Sequence, residues 1–468
     1  MLAAMSMTMP HRPATRFSVG QGRNVSRRPA AKPRPILGQA ALAAAVAGLV
    51  AVVVLGVVRE SGADLHARGG VAMFAGGMAG LAGMYLALIQ LLLIGRIPQL
   101  ERLLGQDGLL RVHRLLGPWP IGLLVLHAVV ITIGFAQAAH SGFLHQLAVF
   151  LGSYPDMLAA TVGLALMVVA GVASIGALRK RMRRETWWVI HLYMYLALAL
   201  SFAHVLALGP TFVGHPLTQA IWAFVWASTA GVVLVFRVVV PLSRSIRHRL
   251  RVAEVHQEAP GVVSVICTGR HLERLRISGG QFIAWRFLRR GLWWQAHPYT
   301  VSALPRPPYL RLTVRQLGDH SSAVARLRPG TRVAIEGPYG AVTSDSRLHE
   351  KVVLVAGGIG ITSIRSLLED LPKSARPIVI VRATSKDQLV LRDETAKLVE
   401  KLGGTLHELV GPRSTTGGAR RFLKRLVPDL GERDLYVCGP PGFVRDVVHA
   451  ARALGMHRRC VHYEEYQW

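Results

Sequence analysis

The hydrophobic pattern divides the chain into three parts, and the first consists of long apolar runs. Six of these runs fall at about residues 37–58, 71–95, 112–136, 157–178, 187–208 and 217–240. Each is close to the roughly 20 apolar residues that a membrane-spanning helix needs. Small residues are dense in them, as in AALAAAVAG and AGGMAGLAG, and such residues let helices pack closely in lipid. The pattern predicts a six-helix all-α membrane bundle over residues 37–243, after a disordered basic arm at residues 1–36.

Short runs typical of strands replace the long apolar runs after Arg251. The segments VVSVICT, QFIAWRF, YLRLTVRQL and TRVAIEGPYG are separated by turn residues and charges, which predicts an antiparallel β-barrel over residues 244–345. From about residue 350, strands such as VVLVAGG and IVIVRAT alternate with helical segments. This alternation predicts an α/β domain with a parallel sheet over residues 346–468.

The positive charge of the chain lies at the edges of the apolar runs. The formal net charge is +29, and Lys/Arg concentrate in residues 1–36, in the loops 96–111 and 179–184, and after residue 240. This is the distribution that marks the cytoplasmic side of membrane proteins, so it predicts lipid and not nucleic acid as the partner of these residues. The three cysteines form no CxxC pair, which indicates a reducing compartment for the C-terminal half.

Two pairs of histidines interrupt the apolar runs. His113 and His127 are 14 residues apart in the third run, and His191 and His204 are 13 apart in the fifth. Ionisable groups in a span are costly and therefore suggest function, and imidazole is a common haem ligand. A 14-residue step rises about 21 Å and closes nearly four turns, whereas a 13-residue step needs a local distortion or different ring orientations. The pairs predict two haems, one above the other, with His113 and His191 nearer the cytoplasm.

Three motifs in the C-terminal half indicate a flavin site. HPYT at 297–300 resembles the flavin motif of ferredoxin-reductase-type domains, where an aromatic ring stacks on the flavin and a hydroxyl lies near its redox-active nitrogen. RLTVRQLGDHS supplies a cation and a turn suited to a pyrophosphate, and EGPYG follows at the domain junction. The predicted FAD-binding residues are His297, Pro298, Tyr299, Thr300, Arg315, Gly318, Ser321 and Gly337.

Two further motifs indicate a nicotinamide nucleotide site. A strand, a glycine loop and a helix run through VLVAGGIGITSIRSLL, the arrangement by which a helix N-terminus receives a pyrophosphate. YVCGPPGF resembles the segment that lies beside the nicotinamide. The predicted residues are Gly357, Gly358, Gly360, Thr362, Arg382, Cys438, Gly439 and Pro440, with Cys438 beside Tyr299 and Thr300 at the catalytic centre and Trp468 as an aromatic cover for the flavin.

Together these motifs resemble the ferric reductase-like transmembrane family, which includes NADPH oxidases, over about residues 37–468. The resemblance implies two b-type haems, held by His113 with His191 and by His127 with His204. It implies that NADPH or NADH reduces FAD in the cytoplasm, and that electrons cross a bacterial inner membrane to an acceptor outside. Oxygen, giving superoxide, is the first expectation. One alternative acceptor is a ferric chelate. Another is a periplasmic redox partner, for which this chain would be the electron-delivery subunit. A transporter function has little support.

Two positions depart from the family pattern. Ser363 stands where relatives often have proline at the helix start, and the expected effect is small. Thr384 stands where many relatives have an arginine for the 2′-phosphate of NADPH, with Arg382 and Arg413 as neighbouring substitutes. The choice between NADPH and NADH therefore stays open.

Overall fold

The computed structural model describes residues 35–59, 62–154, 156–209, 211–412 and 417–464. The chain divides into two compact units, a helical one that ends at Val238 and a second one that begins at Val239. The predicted basic arm lies almost wholly outside the described residues.

Long apolar helices make up the first unit. They are α1 (Pro35–Arg59), α2 (Gly62–His66), α3 (Gly70–Ile94), α4 (Pro98–Leu116), α5 (Pro118–Ala138), α6 (Phe143–Ser153), α7 (Met157–Ala173), α8 (Gly176–Arg179), α9 (Arg184–Leu208) and α10 (Pro216–Leu234), followed by a π-helical turn at Val235–Val239. Among the described residues, five helices are long and apolar enough to span a membrane, and six if α6 and α7, bent by 116°, form one span. The predicted all-α membrane bundle is therefore confirmed.

Glycines bring α3 and α5 into close contact. A methyl group added at Gly76 would lie 2.7 Å from the Ile131 side chain, and one at Gly80 would lie 2.6 Å from Nδ1 of His127. These distances are too short for real carbon atoms, so only glycine allows this spacing. Small residues are the usual means of close helix approach in lipid, and here they determine how near His127 lies to the backbone of α3.

An antiparallel sheet opens the second unit. After α11 (Val240–His248) come β1 (Arg251–Ala259), β2 (Val262–Thr268), β3 (Phe282–Phe287), β4 (His297–Arg306), β5 (Tyr309–Arg315), α12 (Asp319–Val324) and β6 (Val333–Tyr339). The strand order is β1-β2-β5-β4-β3-β6. Its core contains fully buried side chains such as Trp285, Phe287 and Leu312, which are the apolar positions of the predicted strands.

The predicted barrel is not closed, and the prediction was wrong in this respect. The two edge strands meet only beside the bridge between Arg251 and Arg332. Further along β6, helix α11 occupies the edge: the Ser245 hydroxyl accepts the Ile335 amide at 3.1 Å, and the Arg244 guanidinium donates to the carbonyl of Gly337. The helix thereby forms hydrogen bonds with backbone groups of β6 that β1 would pair with in a closed barrel.

A parallel sheet forms the rest of the second unit, as predicted. Its strands and helices are β7 (Lys351–Gly357), α13 (Ile361–Leu368), β8 (Ile378–Ala383), α14 (Arg392–Lys401), β9 (Thr405–Val410), α15 (Ala419–Leu426), β10 (Arg433–Cys438), α16 (Pro441–Ala453) and β11 (Val461–Tyr463). The strand order is β11-β10-β7-β8-β9. Central β7 is buried on both faces, with Leu354 in one hydrophobic core and Val353 and Val355 in the other, which explains its unbroken apolar run.

Buried ion pairs join the two sheets of this unit. Arg311 of β5 donates from both Nη atoms to the Glu394 carboxylate of α14 at 2.8 Å. Arg365 of α13 donates from Nε to Glu394 at 2.8 Å and pairs with Glu369 at 2.9 Å. Burial alone would raise the pKa of Glu394, but the guanidiniums of Arg311 and Arg365 hold the pKa of that carboxyl below its usual range. The carboxylate therefore stays charged and paired at neutral pH.

Candidate active site

The four histidines predicted as haem ligands lie in two pairs of neighbouring rings. The ring centroids of His113 and His191 are 6.1 Å apart with the planes at 84°. Those of His127 and His204 are 6.4 Å apart with the planes at 65°. The chain stays helical between His113 and His127 because Gly117, which separates α4 from α5, has φ −53° and ψ −41°.

Hydrogen bonds fix which ring nitrogen of His127 carries the proton. Nδ1 of His127 lies 2.8 Å from the carbonyl oxygen of Gly76. A carbonyl can only accept, so Nδ1 must carry the proton and donate it. The opposite nitrogen, Nε2, is then the one with a free lone pair, as a metal ligand needs.

A similar argument applies to His191. The Ser174 hydroxyl donates its single proton to the Ala170 carbonyl at 2.7 Å. It can therefore only accept from the indole of Trp187, at 3.1 Å, and from Nδ1 of His191, at 3.3 Å. Trp187 also stacks on the His191 ring, with centroids 5.1 Å apart. This shell orients the ring and leaves its Nε2 with the lone pair.

The predicted flavin motif lies on β4, paired with β3. Tyr299 and Thr300 are opposite Ile283 and Phe282 in the register. The Tyr299 hydroxyl lies 3.1 Å from Nδ1 of His320. His297 stacks on the same imidazole, with centroids 3.5 Å apart. The sequence reasoning did not select His320, although it stands inside the RLTVRQLGDHS motif that supplied Arg315 and Ser321.

Of the predicted phosphate-binding residues, Arg315 lies beside the glycine loop, and Arg315 and Ser321 differ in whether their polar atoms are already hydrogen-bonded. Arg315 makes no ion pair with a described residue, and its Nη1 would lie 3.5 Å from a methyl group added at Gly358. Ser321 instead closes its own turn: its hydroxyl accepts the amides of Leu317 at 2.9 Å and Gly318 at 3.0 Å. Ser321 thus shapes the turn and keeps those two amides occupied.

The glycines of the nucleotide motif serve close packing as well as backbone shape. Gly358 has φ +53°, a left-handed conformation that favours glycine. A methyl group at Gly357 would lie 2.7 Å from the Phe443 ring, and one at Gly439 would lie 3.1 Å from Gly357 Cα. Gly360 packs against the carbonyl of Cys438. The GGIG and CGPP segments therefore pack so closely that no side chain fits between them. Pro440 of the CGPP segment directly precedes α16.

Ser363, which departs from the family pattern, contacts both the flavin motif at Thr300 and the CGPP segment at Cys438. Its hydroxyl donates to the Thr300 hydroxyl at 3.1 Å and also hydrogen-bonds the Cys438 sulfur. Burial raises the pKa of the Cys438 thiol to about 11, the Ser363 hydrogen bond opposes this, and the Glu464 carboxylate adds to it. Cys438 is therefore a neutral thiol at pH 7. The expectation that Ser363 matters little did not foresee these contacts.

The remaining predicted residues are peripheral or lie outside the description. The Thr362 hydroxyl donates a hydrogen bond to the Ile359 carbonyl of its own turn, at 2.9 Å. Arg382 is the penultimate residue of β8 and donates to the Gly417 carbonyl at 3.4 Å. Thr384 follows the last residue of the strand and is exposed. Arg413 and Trp468 lie outside the described residues.

Three protein families match successive parts of the chain. Residues 79–202 match the ferric reductase like transmembrane component, residues 250–343 an FAD-binding domain, and residues 354–449 the oxidoreductase NAD-binding domain. The chain therefore combines a ferric reductase-like membrane domain with FAD-binding and NAD-binding domains, which is the architecture that the motifs indicate. This combination supports a transmembrane electron-transfer oxidoreductase.

Curated relatives share parts of this arrangement. The NADH oxidoreductase HCR of Escherichia coli is 29% identical over 45% of this chain and 66% of its own length. The Probable metalloreductase AIM14 of Yarrowia lipolytica is 26% identical over 57% of this chain and 46% of its own length. The chain thus spans about half to two thirds of these relatives. Among solved structures, the flavohem-like FAD/NAD binding domain of a Vibrio cholerae nitric oxide dioxygenase is 22% identical, covering 47% of this chain and 99% of that one with a TM-score of 0.41.

Replacing Ser363 should disturb hydride transfer more than nucleotide binding. We expect Ser363→Ala to lower kcat about fivefold, since one hydrogen bond to the Thr300 hydroxyl, worth about 1 kcal/mol, is lost. The KM for the nucleotide should change little, and Ser363→Thr should restore part of kcat because it keeps the hydroxyl. Stopped-flow reduction of the bound flavin measures this.

The matched control for Ser363 is Ser346→Ala, which removes another serine hydroxyl of the same unit, bonded at 2.6 Å to the Thr343 carbonyl. It should leave the reduction rate unchanged. Equal rates for wild type and Ser363→Ala, with an unchanged flavin spectrum, would show that the bridge has no part in the reaction.

Proposed function

We propose that the chain moves electrons from cytoplasmic NADPH or NADH, by way of FAD and two b-type haems, to an acceptor on the outer face of a bacterial inner membrane, with oxygen as that acceptor. The observation that carries this proposal is the presence of two histidine pairs in the helical unit. The helical rise between His113 and His127 separates one pair from the other. FAD would supply two-electron acceptance and the haems single-electron transfer.

The separation within each histidine pair fits a shared iron. A metal–imidazole bond is about 2.0–2.1 Å long, and the ring centre lies roughly 1.1 Å behind the nitrogen, so two rings on opposite sides of one metal have centres about 6.3 Å apart. The observed centroid distances are 6.1 Å and 6.4 Å. If the two imidazoles of each pair simply packed against each other without a metal, there would be no reason for the centroid distances of both pairs to agree with this value.

The outer contacts of the rings support the same assignment. His127 donates from Nδ1 to Gly76 at 2.8 Å, and His191 does so to Ser174 at 3.3 Å. Metal-ligating histidines usually donate their second ring N–H in this way, which fixes the tautomer and strengthens the ligand. The donor set of neutral imidazoles in an apolar bundle is that of a bis-histidine haem.

In the second unit, the chain's residues would position FAD and the nucleotide for hydride transfer. Tyr299 would stack on the flavin, and Thr300 would hydrogen-bond near its reactive nitrogen. Arg315, which lacks an ion-pair partner among the described residues, would bind the FAD pyrophosphate. Cys438, neutral because burial raises its pKa to about 11, would lie against the nicotinamide without competing as a nucleophile.

The charge distribution supports the direction of transfer. The 179–184 segment and residues 244–251 are rich in arginine, and such segments stay on the cytoplasmic side. The FAD and nucleotide domains follow residue 251 and would share that side, where NADPH and NADH are present. A ferric chelate is the second candidate for acceptor, favoured by the likeness to a metalloreductase over 57% of the chain.

The acceptor can be identified by oxidation of NADPH or NADH with purified protein in lipid nanodiscs. We expect turnover in air with superoxide formed in proportion, and a fall in turnover when oxygen is removed. A rate that persists without oxygen only when ferric chelate is present would instead identify a ferric reductase. His204→Ala, which removes an outer ligand, should stop either reaction while leaving reduction of the flavin intact.

Haem content should depend on each histidine of the pairs. His127→Ala or His204→Ala should remove mainly the outer haem, and His113→Ala or His191→Ala mainly the inner one, leaving about one of two haems in each variant by pyridine haemochrome assay. His215→Ala is the control, because that histidine contacts Arg59 in a loop. Full haem content in all four variants would contradict the ligand assignment.

Nucleotide preference should be weak in the wild type. Thr384 cannot form a charged bond to the 2′-phosphate, and such a bond is worth roughly 1.5–3 kcal/mol, or about ten- to a hundredfold. We expect NADPH to be slightly favoured, and Thr384→Arg to raise its kcat/KM ratio over NADH by about that factor, whereas the uncharged Thr384→Gln should not. A wild type that rejects NADH about a thousandfold or more, unchanged by Arg382→Ala and Arg413→Ala, would refute this account of the pocket.

A further inference from the structure

A basic pocket lies at the C-terminal end of α11, and none of its lining residues belongs to the flavin or nucleotide motifs. Its volume is about 500 Å³, and it is lined by Ser243, Ile246, Arg247, Arg249, Arg270 and His271. Among the described residues, its three arginines form no ion pair with an acidic side chain, whereas His271 lies 3.5 Å from Glu273. The pocket therefore presents an uncompensated positive charge.

Two reciprocal hydrogen bonds hold the walls of this pocket together. The Arg270 amide donates to the His248 carbonyl at 2.7 Å, and the buried His248 ring donates from Nδ1 to the Arg270 carbonyl at 3.1 Å. Gly269 packs so closely that an added methyl group would lie 2.9 Å from the His248 carbonyl oxygen. The end of α11 and the loop after β2 are thus locked side by side.

The backbone on both walls adopts an unusual conformation. Arg249 has φ +43° and His271 has φ +55°, both in the left-handed region that residues other than glycine rarely occupy. Each directly follows one of the two locked residues, His248 and Arg270. Such strain persists where the surrounding structure imposes it, and it is found at ligand clamps. Here it places Arg249 and His271 in the lining of one pocket.

This pocket is distinct from the proposed FAD phosphate site. Strands β2 and β5 pair so that Arg315 is opposite Val262, whereas Tyr309 is opposite Thr268. The pocket begins two residues after Thr268, at Arg270. Six steps along a strand cover about 20 Å. Arg315 and the pocket therefore lie at opposite ends of the same strand pair.

The last candidate membrane span continues along the chain into α11, whose C-terminal part lines the pocket. The last candidate span runs over Pro216–His248, 33 residues, and would be about 50 Å long, whereas the hydrocarbon layer is about 30 Å thick. Residues from about Arg237 onward then lie beyond the hydrocarbon. Leu242 and Ile246 of α11 are 57% and 58% exposed on one side of the helix. Exposed apolar residues beside arginines are typical of the membrane interface.

We propose that this pocket binds the phosphate headgroup of an anionic phospholipid. Arg247, Arg249 and Arg270 would contact the phosphate, with His271 beside them, and Ile246 would contact the glycerol and the first methylenes. The inference needs only the membrane span, and it does not depend on which acceptor or nucleotide the protein uses.

Lipid retention by the full chain tests this proposal. The protein would be assembled in nanodiscs of phosphatidylcholine with phosphatidylglycerol, then released and analysed by native mass spectrometry. We expect wild type to retain phosphatidylglycerol in preference to phosphatidylcholine. The double variant Arg247→Gln/Arg270→Gln should bind it roughly thirtyfold more weakly, since each arginine near an anionic lipid contributes about fivefold.

Two controls separate a specific pocket from general attraction. Arg328→Gln/Arg425→Gln removes two exposed arginines elsewhere in the same unit and should retain the lipid as wild type does. Arg247→Lys/Arg270→Lys keeps the charge and should retain most of it, and FAD content would verify folding. Equal retention by wild type and the glutamine variant would overturn the proposal. Displacement of the lipid by millimolar inorganic phosphate would identify a site for free anions instead.

Discussion

The relative position of the flavin and nucleotide sheets depends on one partly buried carboxylate. Glu394 receives Arg311 from the antiparallel sheet and Arg365 from the helix after the glycine loop, each at 2.8 Å. Both arginines are almost fully buried, so loss of the carboxylate would break the ion pair with Arg311, at a cost of about 3–5 kcal/mol, whereas Arg365 would keep its pair with Glu369. Since Thr300 and Ser363 lie on the elements that this network joins, their 3.1 Å contact depends on it.

The membrane unit depends on a different constraint, the close approach of helices. Because α3 carries glycines, α5 packs close enough for the Gly76 carbonyl to accept a hydrogen bond from His127 at 2.8 Å. A larger residue would separate the helices and deprive the ring of the acceptor that fixes its tautomer. Packing and chemistry are therefore linked in this region, because the small residues that let helices associate in lipid also orient the imidazole.

The sequence predicted those features that repeat or alternate. Apolar runs of about 20 residues identified the membrane helices, and alternating strands and helices identified the parallel sheet. It did not predict that the antiparallel sheet stays open, because that depends on Ser245 and Arg244 of α11 bonding to β6. Nothing in the local pattern of a short amphipathic helix indicates which strand edge it covers. His320 was missed for a similar reason, since its stacking on His297 is a contact between helix α12 and strand β4.

Ser363 shows how a departure from a family pattern can acquire a contact that the pattern lacks. Proline at that position would supply a rigid helix start and no hydroxyl. Serine keeps the start, because α13 begins at Ile361, and adds a donor to Thr300 and a partner for Cys438. The hydroxyl has one proton, so donation to Thr300 leaves only its lone pairs for the neutral thiol. The order of donors along this chain, from Cys438 through Ser363 to Thr300, then follows from the donation of the single Ser363 proton to Thr300 and from the neutral state of the thiol, whose pKa burial raises.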